Sequence, residues 1–305
     1  MLPAKLIKIT EEVLDLDSIM KKYNLNQTNI IPTKFVTLTI KDWPCELTNM
    51  FSYTVMKLIP TKRFGKISVK SDDSIVLNNH VITRLSFINI DSKCPLKKIA
   101  VIAKHNKDTP NPIKIYTDIL LTGYTENVPF MVLGPGKNCE IKLSIIESAG
   151  IDAETNHNFA NTFIRKNMRV TDCDNVDFTS LSCLEAEYNQ GDITFNYQDS
   201  KTAAEVLSLA TEIILKKVQQ VEIEFEELFK PSIGKTSLTI PSDPSGILAN
   251  LFQIWIYFYL GRTVFITVDV ALETVIHIKN SIQHRSKILE AIKSLHGYIS
   301  IALKK

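Results

Sequence analysis

Residues 236–256, TSLTIPSDPSGILANLFQIWI, repeat a pattern already present at residues 36–55, VTLTIKDWPCELTNMFSYTV. Each stretch begins with a strand-like Thr/Ser-Leu-Thr-Ile and continues through a polar turn that contains proline. Each then ends in a helical segment with Asn-Met-Phe or Asn-Leu-Phe. A single recurrence is not a solenoid, which needs several short copies. The repeat therefore predicts two related domains in one chain.

The helical segment of the second copy is unusually apolar. Nearly every position from Leu248 to Leu260 is aliphatic or aromatic, and a helix that is apolar on all sides has to be covered on all sides. The sheet of a small domain covers only one side, so we expect the helical segment of the first copy to cover another. The two copies would then form a pseudo-symmetric pair, an isologous dimer contained in one polypeptide.

The predicted interface of this pseudo-dimer draws on both helical segments. Its residues are Leu47, Asn49, Met50, Phe51, Val55, Asn250, Leu251, Phe252, Trp255, Phe258 and Tyr259. Asn49 and Asn250 are of special interest because they recur at similar positions in the two copies. They are candidates for buried side chains that hydrogen-bond the backbone, with ordinary positions on the helix surface as the alternative.

Hydrophobic periodicity predicts the other elements. Residues 34–41 alternate as a strand does, with Val36, Leu38 and Ile40 on one face. The elements expected after this strand include a helix to about residue 58, a strand at 64–69, a helix at 79–87, a long helix at 201–229 and a closing helix at 281–303. The fold class is therefore α+β.

The domain organisation follows from a change in the sequence pattern between residues 92 and 191. Short β-rich runs there are punctuated by proline, glycine and asparagine, which predicts an inserted, mostly β domain. The expected organisation is an N-terminal extension at 1–33, a first dimerisation domain at 34–91 and 192–229, the insert at 92–191, a linker at 230–234 and a second dimerisation domain at 235–305. Each dimerisation domain is expected to combine an antiparallel sheet with helices.

Composition excludes several classes of protein. The chain has 305 residues, is 45% hydrophobic and 22% charged, and carries a net charge of +2. This composition indicates a globular protein. The near-neutral net charge gives no sign of the overall basic character that is typical of nucleic-acid-binding proteins. Its five cysteines form no Cys-x-x-Cys pair, so neither a zinc site nor a disulfide framework is predicted. The most apolar run, 247–260, is too short to span a bilayer.

No catalytic or cofactor motif is visible in the sequence. Residues 134–137, Gly-Pro-Gly-Lys, lack the spacing of a phosphate-binding loop and are predicted to form a β-turn. The six histidines have no metal-ligand spacing, and no nucleophile elbow is present. We therefore expect a protein that is not itself an enzyme and that holds no cofactor.

With both copies placed, residues 35–305 resemble the α-like subunits of multisubunit RNA polymerases. Thr48-Asn49 and the Ile-Pro-Thr at 59–61 stand where the long partner of that family has an Ala-Asn helix ending in Ile/Val-Pro-Thr. HVITRLSFINI at 80–90 resembles the family's next helix, with Arg84 and Leu85 as the matching residues. Ser52-Tyr53 replaces the Arg-Arg pair of the family's first helix.

Two further stretches carry the resemblance. Gly150-Ile151 and His157 match a glycine-containing motif of the long partner's inserted domain. Residues 237–305 resemble the short partner from end to end, although its His-Thr-x-Gly-Asn motif reads Gly-Ile-Leu-Ala-Asn here, at 246–250. Fusion of both partners in one chain is similar to the arrangement in large cytoplasmic DNA viruses of the poxvirus and African-swine-fever type.

The resemblance implies a non-catalytic assembly platform for a viral DNA-directed RNA polymerase. The two large subunits would dock on the first helix, the 79–87 helix and the insert, at the surface of Ser52, Tyr53, His80 and Arg84. Other polymerase subunits would be partners, DNA would be contacted only indirectly, and neither a membrane nor an obligate homo-oligomer is implied. The implied location is the host cytoplasm and the virion.

Two other hypotheses about the function remain open. One is a viral interaction or structural protein that has this fold without joining a polymerase, which the Ser52-Tyr53 replacement favours. The other is a small-molecule enzyme with its site between the two halves, which would need convergent polar groups there.

Overall fold

The structure is a computed structural model with a mixed α+β fold. It describes residues 4–14, 31–73, 76, 78–86, 88–149, 151–152, 157–158, 164–171, 191–228, 237–240, 246–261, 265–269, 274–279 and 281–303. The predicted linker at 230–234 lies outside these ranges.

The described part of the chain contains five α-helices and fifteen strands. The helices are α1 (Cys45–Tyr53), α2 (Asn78–Ser86), α3 (Ala203–Leu228), α4 (Ile247–Leu260) and α5 (Ser281–Ala302), with a π-helical turn, Thr54–Leu58, continuing α1 and a 3₁₀ turn at Thr117–Ile119. The strands are β1 (Lys5–Val13), β2 (Thr33–Lys41), β3 (Thr61–Phe64), β4 (Ser68–Ser71), β5 (Lys98–Lys104), β6 (Ile113–Tyr116), β7 (Pro129–Leu133), β8 (Asn138–Ser148), β9 (Ile151–Asp152), β10 (His157–Asn158), β11 (Ile164–Thr171), β12 (Gly191–Gln198), β13 (Ser237–Ile240), β14 (Phe265–Asp269) and β15 (Thr274–Lys279).

The first sheet is antiparallel, in the order β1-β2-β12-β11. The predicted alternation along β2 is confirmed, because Val36, Leu38 and Ile40 are buried whereas Phe35 is 44% exposed. The short helix α1 follows β2, and the long helix α3 follows β12. This sheet therefore presents one apolar face to the helices that the same segment of chain supplies.

The second sheet has the same topology without the extra edge strand. Its order is β13-β15-β14, and all pairs are antiparallel. In both sheets the strand before the short helix pairs with the strand before the long helix, and the third strand lies beyond it. The sequence repeat is thus matched by a repeat of strand order.

The third sheet is built on the long strand β8, which pairs with β3 and β4 on one edge and with β5 on the other. The hairpin β6-β7 and helix α2 complete a second hydrophobic core, separate from the core of the first two sheets. Short strands β9 and β10 pair with each other.

One predicted strand, at 64–69, is two strands. β3 pairs up to Phe64↔Ile145 and β4 resumes at Ser68↔Lys142, so one partner of β8 contains one extra residue. The bulge is placed at Gly65, whose amide donates to the Ser144 carbonyl at 2.7 Å. A Cβ at this glycine would lie 2.8 Å from Cγ2 of Ile146, so no larger residue fits without displacing that side chain.

Strand β1 was not predicted from the sequence, and it lies within the predicted N-terminal extension. Lys5–Val13 pairs along the whole of β2. Only Leu6 of this strand is buried, while Ile7 and Val13 are 46% and 56% exposed. An edge strand with so little burial has no clear alternating pattern, so periodicity could not reveal it.

Candidate interaction sites

Helices from both halves of the chain share one hydrophobic core. Helix α1 contacts α4, helix α3 contacts α5, and α4 also contacts α5. The long helices extend this packing across the two sheets, because α3 contacts β13 and α5 contacts β1. Neither half therefore covers its own helices alone.

The predicted interface residues of α1 are at the centre of this core. Leu47, Met50, Phe51 and Val55 are each no more than 1% exposed. Phe51 also makes an edge-to-face contact with Trp43, at 5.8 Å between ring centroids, a geometry that aromatic pairs prefer. The sequence analysis did not single out Trp43, although it lies within the repeated stretch.

On the second half, Phe252 is the innermost aromatic residue of α4. Its side chain is fully buried, Leu251 beside it is 2% exposed, and its ring centroid lies 6.0 Å from that of Phe225 in α3. Phe252 thus joins a helix of the second half to a helix of the first.

Trp255 fixes α4 against α5. Its indole N–H donates to the Ala291 carbonyl at 2.7 Å and reaches the Ser294 hydroxyl oxygen at 3.0 Å. Its ring centroid lies 4.5 Å from that of Tyr298. A buried indole needs a partner for its N–H, and this one is satisfied by the backbone of the neighbouring helix.

Four predicted interface residues are less buried. Phe258 and Tyr259 are each 47% exposed, Asn250 is exposed, and Asn49 is half-buried. The prediction of burial is wrong for Phe258 and Tyr259 on the last turn of α4, whereas Asn250 takes the alternative position on the helix surface. The exposed rings instead pack on Trp255, with centroids at 6.0 and 5.8 Å.

The four predicted docking residues lie on two helices, which pack in different hydrophobic cores. Ser52 and Tyr53 are half-buried on α1, which belongs to the shared core. His80 and Arg84 are exposed on α2, which packs in the second core through Val81 and Leu85. An Arg84 guanidinium N–H donates to the Phe130 carbonyl at 3.4 Å, so this side chain lies along strand β7.

A polar cluster, which sequence reasoning missed, surrounds Lys34. This lysine is 6% exposed, and its Nζ lies 2.9 Å from a Glu11 carboxylate oxygen. It also donates to the Lys201 carbonyl at 2.7 Å, as does the Tyr197 hydroxyl at 2.8 Å. The cluster ties β1 and β2 to the start of α3.

Further polar contacts continue from this cluster to residues 91 and 92, between α2 and β5. The Ser92 hydroxyl donates to Asp199 at 2.6 Å, and the Ser200 hydroxyl donates to Asp91 at 2.9 Å. These pairs join the segment before β5 to the segment between β12 and α3. The sequence repeat does not include these residues and no periodic pattern relates positions so far apart, so only the fold could reveal them.

Neither a comparison with protein-family models nor one with curated proteins finds a match for this chain. Within the described ranges, no group of three or more histidine, cysteine, aspartate or glutamate side chains is arranged to hold a metal ion. No helix in the described part of the chain combines the length and apolarity needed to cross a membrane.

Burial perturbs two tyrosines in the shared core. The pKa of Tyr298 in α5 is raised well above its ordinary value, mainly by burial and also by the charge of Asp42 at the end of β2. The pKa of Tyr197 is raised by burial and then by the charges of Glu11, Asp199 and Glu205.

We expect the protein to lose stability as the pH rises above about 10, because an unfolded tyrosine releases its proton there while buried Tyr298 keeps its own. A raised pKa in the folded state gives stability that is complete below the unfolded pKa and is lost above it. Above about pH 10, Tyr298→Phe should make the pH-dependent decrease in the free energy of unfolding smaller by up to about 1 kcal/mol per pH unit. Urea unfolding at about pH 9 and pH 11 measures it.

Comparing the natural protein with Tyr298→Phe isolates the contribution of Tyr298 to the pH dependence. Burial lowers the pKa of Arg63 to about 10, which opposes the effect but is common to both proteins. The hydroxyl of Tyr298 is buried without a hydrogen-bond partner among the described residues, so its removal should cost little at neutral pH. Equal pH dependence of the two proteins would contradict this account.

Proposed function

We infer that this protein is a non-catalytic assembly subunit of a multisubunit DNA-directed RNA polymerase. Its two halves would form an intramolecular pseudo-dimer, with the β-rich region inserted into the first half. The resulting platform would hold the two large catalytic subunits together. In this proposal the polymerase is that of a large cytoplasmic DNA virus, working in the host cytoplasm and carried in the virion.

One observation carries the proposal. The same strand order and the same strand-to-helix connections occur twice in the chain, and the helices of both copies pack into one core. This is the geometry expected when a symmetric dimer of related subunits is fused into one polypeptide. It agrees with the order of motifs on which the resemblance to α-like polymerase subunits rests.

The proposed mechanism is binding alone. The shared core would fix the orientation of the two halves, and the large subunits would dock on α1, on α2 and on the insert. His80 and Arg84 are exposed on α2, and arginine is among the residues that contribute most at protein interfaces. The platform would bring the catalytic subunits together without touching substrate.

The test is purification of the tagged full-length protein from cells in which it is naturally produced. We expect template-dependent RNA synthesis, together with two large polypeptides, to purify with the tagged protein. Purified protein that carries no polymerase activity would rule out the assembly role.

A variant at the docking surface sharpens the test. Changing His80 and Arg84 together to glutamate should lower the co-purified activity by about tenfold or more, because an interface arginine commonly contributes about 2 kcal/mol. Lys41→Glu, an exposed change on the first sheet, is the control and should leave the activity unchanged. Thermal unfolding of each protein checks that the fold is intact. Equal activity of the two variants would exclude docking through α2.

The alternative, an interaction protein that does not join a polymerase, rests on Ser52 and Tyr53. These half-buried residues stand where the resembled family has its arginine pair. Replacing both with glutamate distinguishes the two functions. No affinity of the natural protein for the large subunits would favour the alternative, whereas an affinity that the variant loses would place α1 in the docking surface.

A further inference from the structure

The third sheet has one buried and one exposed face. Val69, Ile141, Leu143 and Ile145 point into the second core, where α2 also packs through Val81 and Leu85. Residues of the opposite parity along β4, β5 and β8 are exposed or half-buried. Helix α2 therefore covers one side of the sheet and leaves the other side open.

The open side is strongly basic and is called the lysine face below. Its charged residues are Lys66, Lys70, Lys98, Lys104, Lys142 and Glu140. Asp72 lies at one end, where it accepts a hydrogen bond from the Asn138 amide at 2.6 Å. The whole chain has a net charge of only +2, so this excess of positive charge is local.

The pairing register fixes the relative positions of these lysines. Lys142 lies between Ser68 on β4 and Ala100 on β5. Lys98 pairs with Ser144 one row further along. Alternate residues of a strand are about 6.6 Å apart and neighbouring strands about 4.8 Å apart. The ammonium groups are therefore spread over a surface of nanometre size.

A groove crosses the lysine face. Its volume is about 460 Å³. It is lined by Lys66, Lys98 and Lys142 together with Ser68, Ile99, Ala100, Leu143 and Ser144. The surface of the groove is mainly apolar, and the lysines supply positive charge at its edges.

The single glutamate neutralises only part of this charge. Lys142 Nζ lies 2.6 Å from a Glu140 carboxylate oxygen. This bond and the charge of Lys142, followed by the charge of Lys70, lower the pKa of Glu140. Lys66, Lys98 and Lys104 make no ion pair with any residue that the structure describes. Uncompensated like charges at this spacing favour a polyanion as the ligand.

We propose that the lysine face binds the sugar–phosphate backbone of duplex nucleic acid. Lysine ammonium groups are ordinary donors to phosphate oxygens, and such contacts carry no base sequence. Among the residues that the structure describes, the face has no aromatic side chain on which unpaired bases could stack, so a duplex fits it better than a single strand. Sequence-independent binding that weakens with salt follows from this chemistry.

An acidic protein partner fits the face less well. Carboxylates are bound most specifically by the planar fork of arginine, and protein interfaces are usually anchored by aromatic or arginine side chains. Within the described part of the chain, the lysine face contains neither. It also lies on the side of the sheet away from α2, so docking of a large subunit on α2 alone would leave it open to a duplex. The proposal holds whether or not the protein joins a polymerase.

The test measures the binding of the purified full-length protein to a fluorescein-labelled duplex of about 20 base pairs by anisotropy, between about 50 and 200 mM salt. Binding at low salt should weaken with a log–log slope of about −3 to −4, corresponding to about four phosphate contacts. The combined change Lys66→Gln, Lys98→Gln and Lys142→Gln should weaken binding about 100-fold at about 50 mM salt and bring the slope close to −1.

The control removes the same charge elsewhere. Lys8→Gln, Lys41→Gln and Lys287→Gln together affect exposed lysines outside the lysine face and should change affinity by less than about threefold. The single variant Lys98→Gln, expected to weaken binding about tenfold, serves if the triple variant does not fold. No binding by the natural protein at low salt would overturn the proposal, as would an equal loss in the control. Polyglutamate that competes as strongly as unlabelled duplex would also overturn it, in favour of an acidic protein partner.

Discussion

Replacing Phe252 with alanine is expected to lower the free energy of unfolding by about 3–5 kcal/mol. The side chain is completely buried in the shared core, where its ring meets Phe225 of the other half. Truncation removes the apolar surface that folding buries and leaves a cavity that rigid helices on both sides cannot fill. Urea unfolding followed by circular dichroism and tryptophan fluorescence measures the change.

The matched control is Phe258→Ala in the same helix. It deletes the same atoms and changes helix propensity by the same amount, but its ring is 47% exposed. We expect a change within about 1 kcal/mol. A similar loss for both variants would mean that the stability of α4 depends on helix propensity and not on packing between the halves.

The features predicted from the sequence are those encoded by neighbouring residues. The alternation of Val36, Leu38 and Ile40 specifies the buried face of a strand, and the apolar run of α4 specifies a helix that needs cover. Both depend on residues within a few positions of each other. The repeat adds one long-range inference, since similar local patterns predict similar packing.

The features that were missed depend on how distant elements pack on one another. Phe258 and Tyr259 continue the apolar run of α4 but are each 47% exposed, because an apolar run does not show which of its residues a neighbouring element will cover. The sequence gives no sign that Lys34 differs from an ordinary surface lysine. In the fold it lies beside Glu11 and the Lys201 carbonyl. Partners so far apart in the chain have no periodic signature.

The same limit applies to the lysine face. A net charge of +2 for the whole chain indicates no affinity for nucleic acid. The basic surface arises because strand pairing places Lys98 of β5 and Lys142 of β8 on one side of the third sheet. The charge of a folded surface can therefore be much stronger than the net charge of the chain indicates.

Producing the chain as two fragments, 1–230 and 235–305, without the linker residues 231–234, should give fragments that remain bound to each other when they are co-expressed. Each fragment contains helices whose cover comes from the other, since α1 contacts α4, and α3 contacts both α5 and β13. Separation would expose the rings of Phe225 and Phe252 to water. Size-exclusion chromatography should therefore show one complex with equal amounts of both fragments.

The strength of this association should depend on buried aromatic contacts more than on surface charge. Phe252→Ala in the small fragment should raise the dissociation constant by about 100-fold or more, because about 3 kcal/mol corresponds to such a factor. Lys293→Ala should change it by less than about fivefold, because the Lys293–Glu226 ion pair, at 2.9 Å, is about half exposed. Titration calorimetry separates the two effects. Fragments that part and stay soluble on their own would show that each half is a self-sufficient domain, and the fused-dimer interpretation of the shared core would then be wrong.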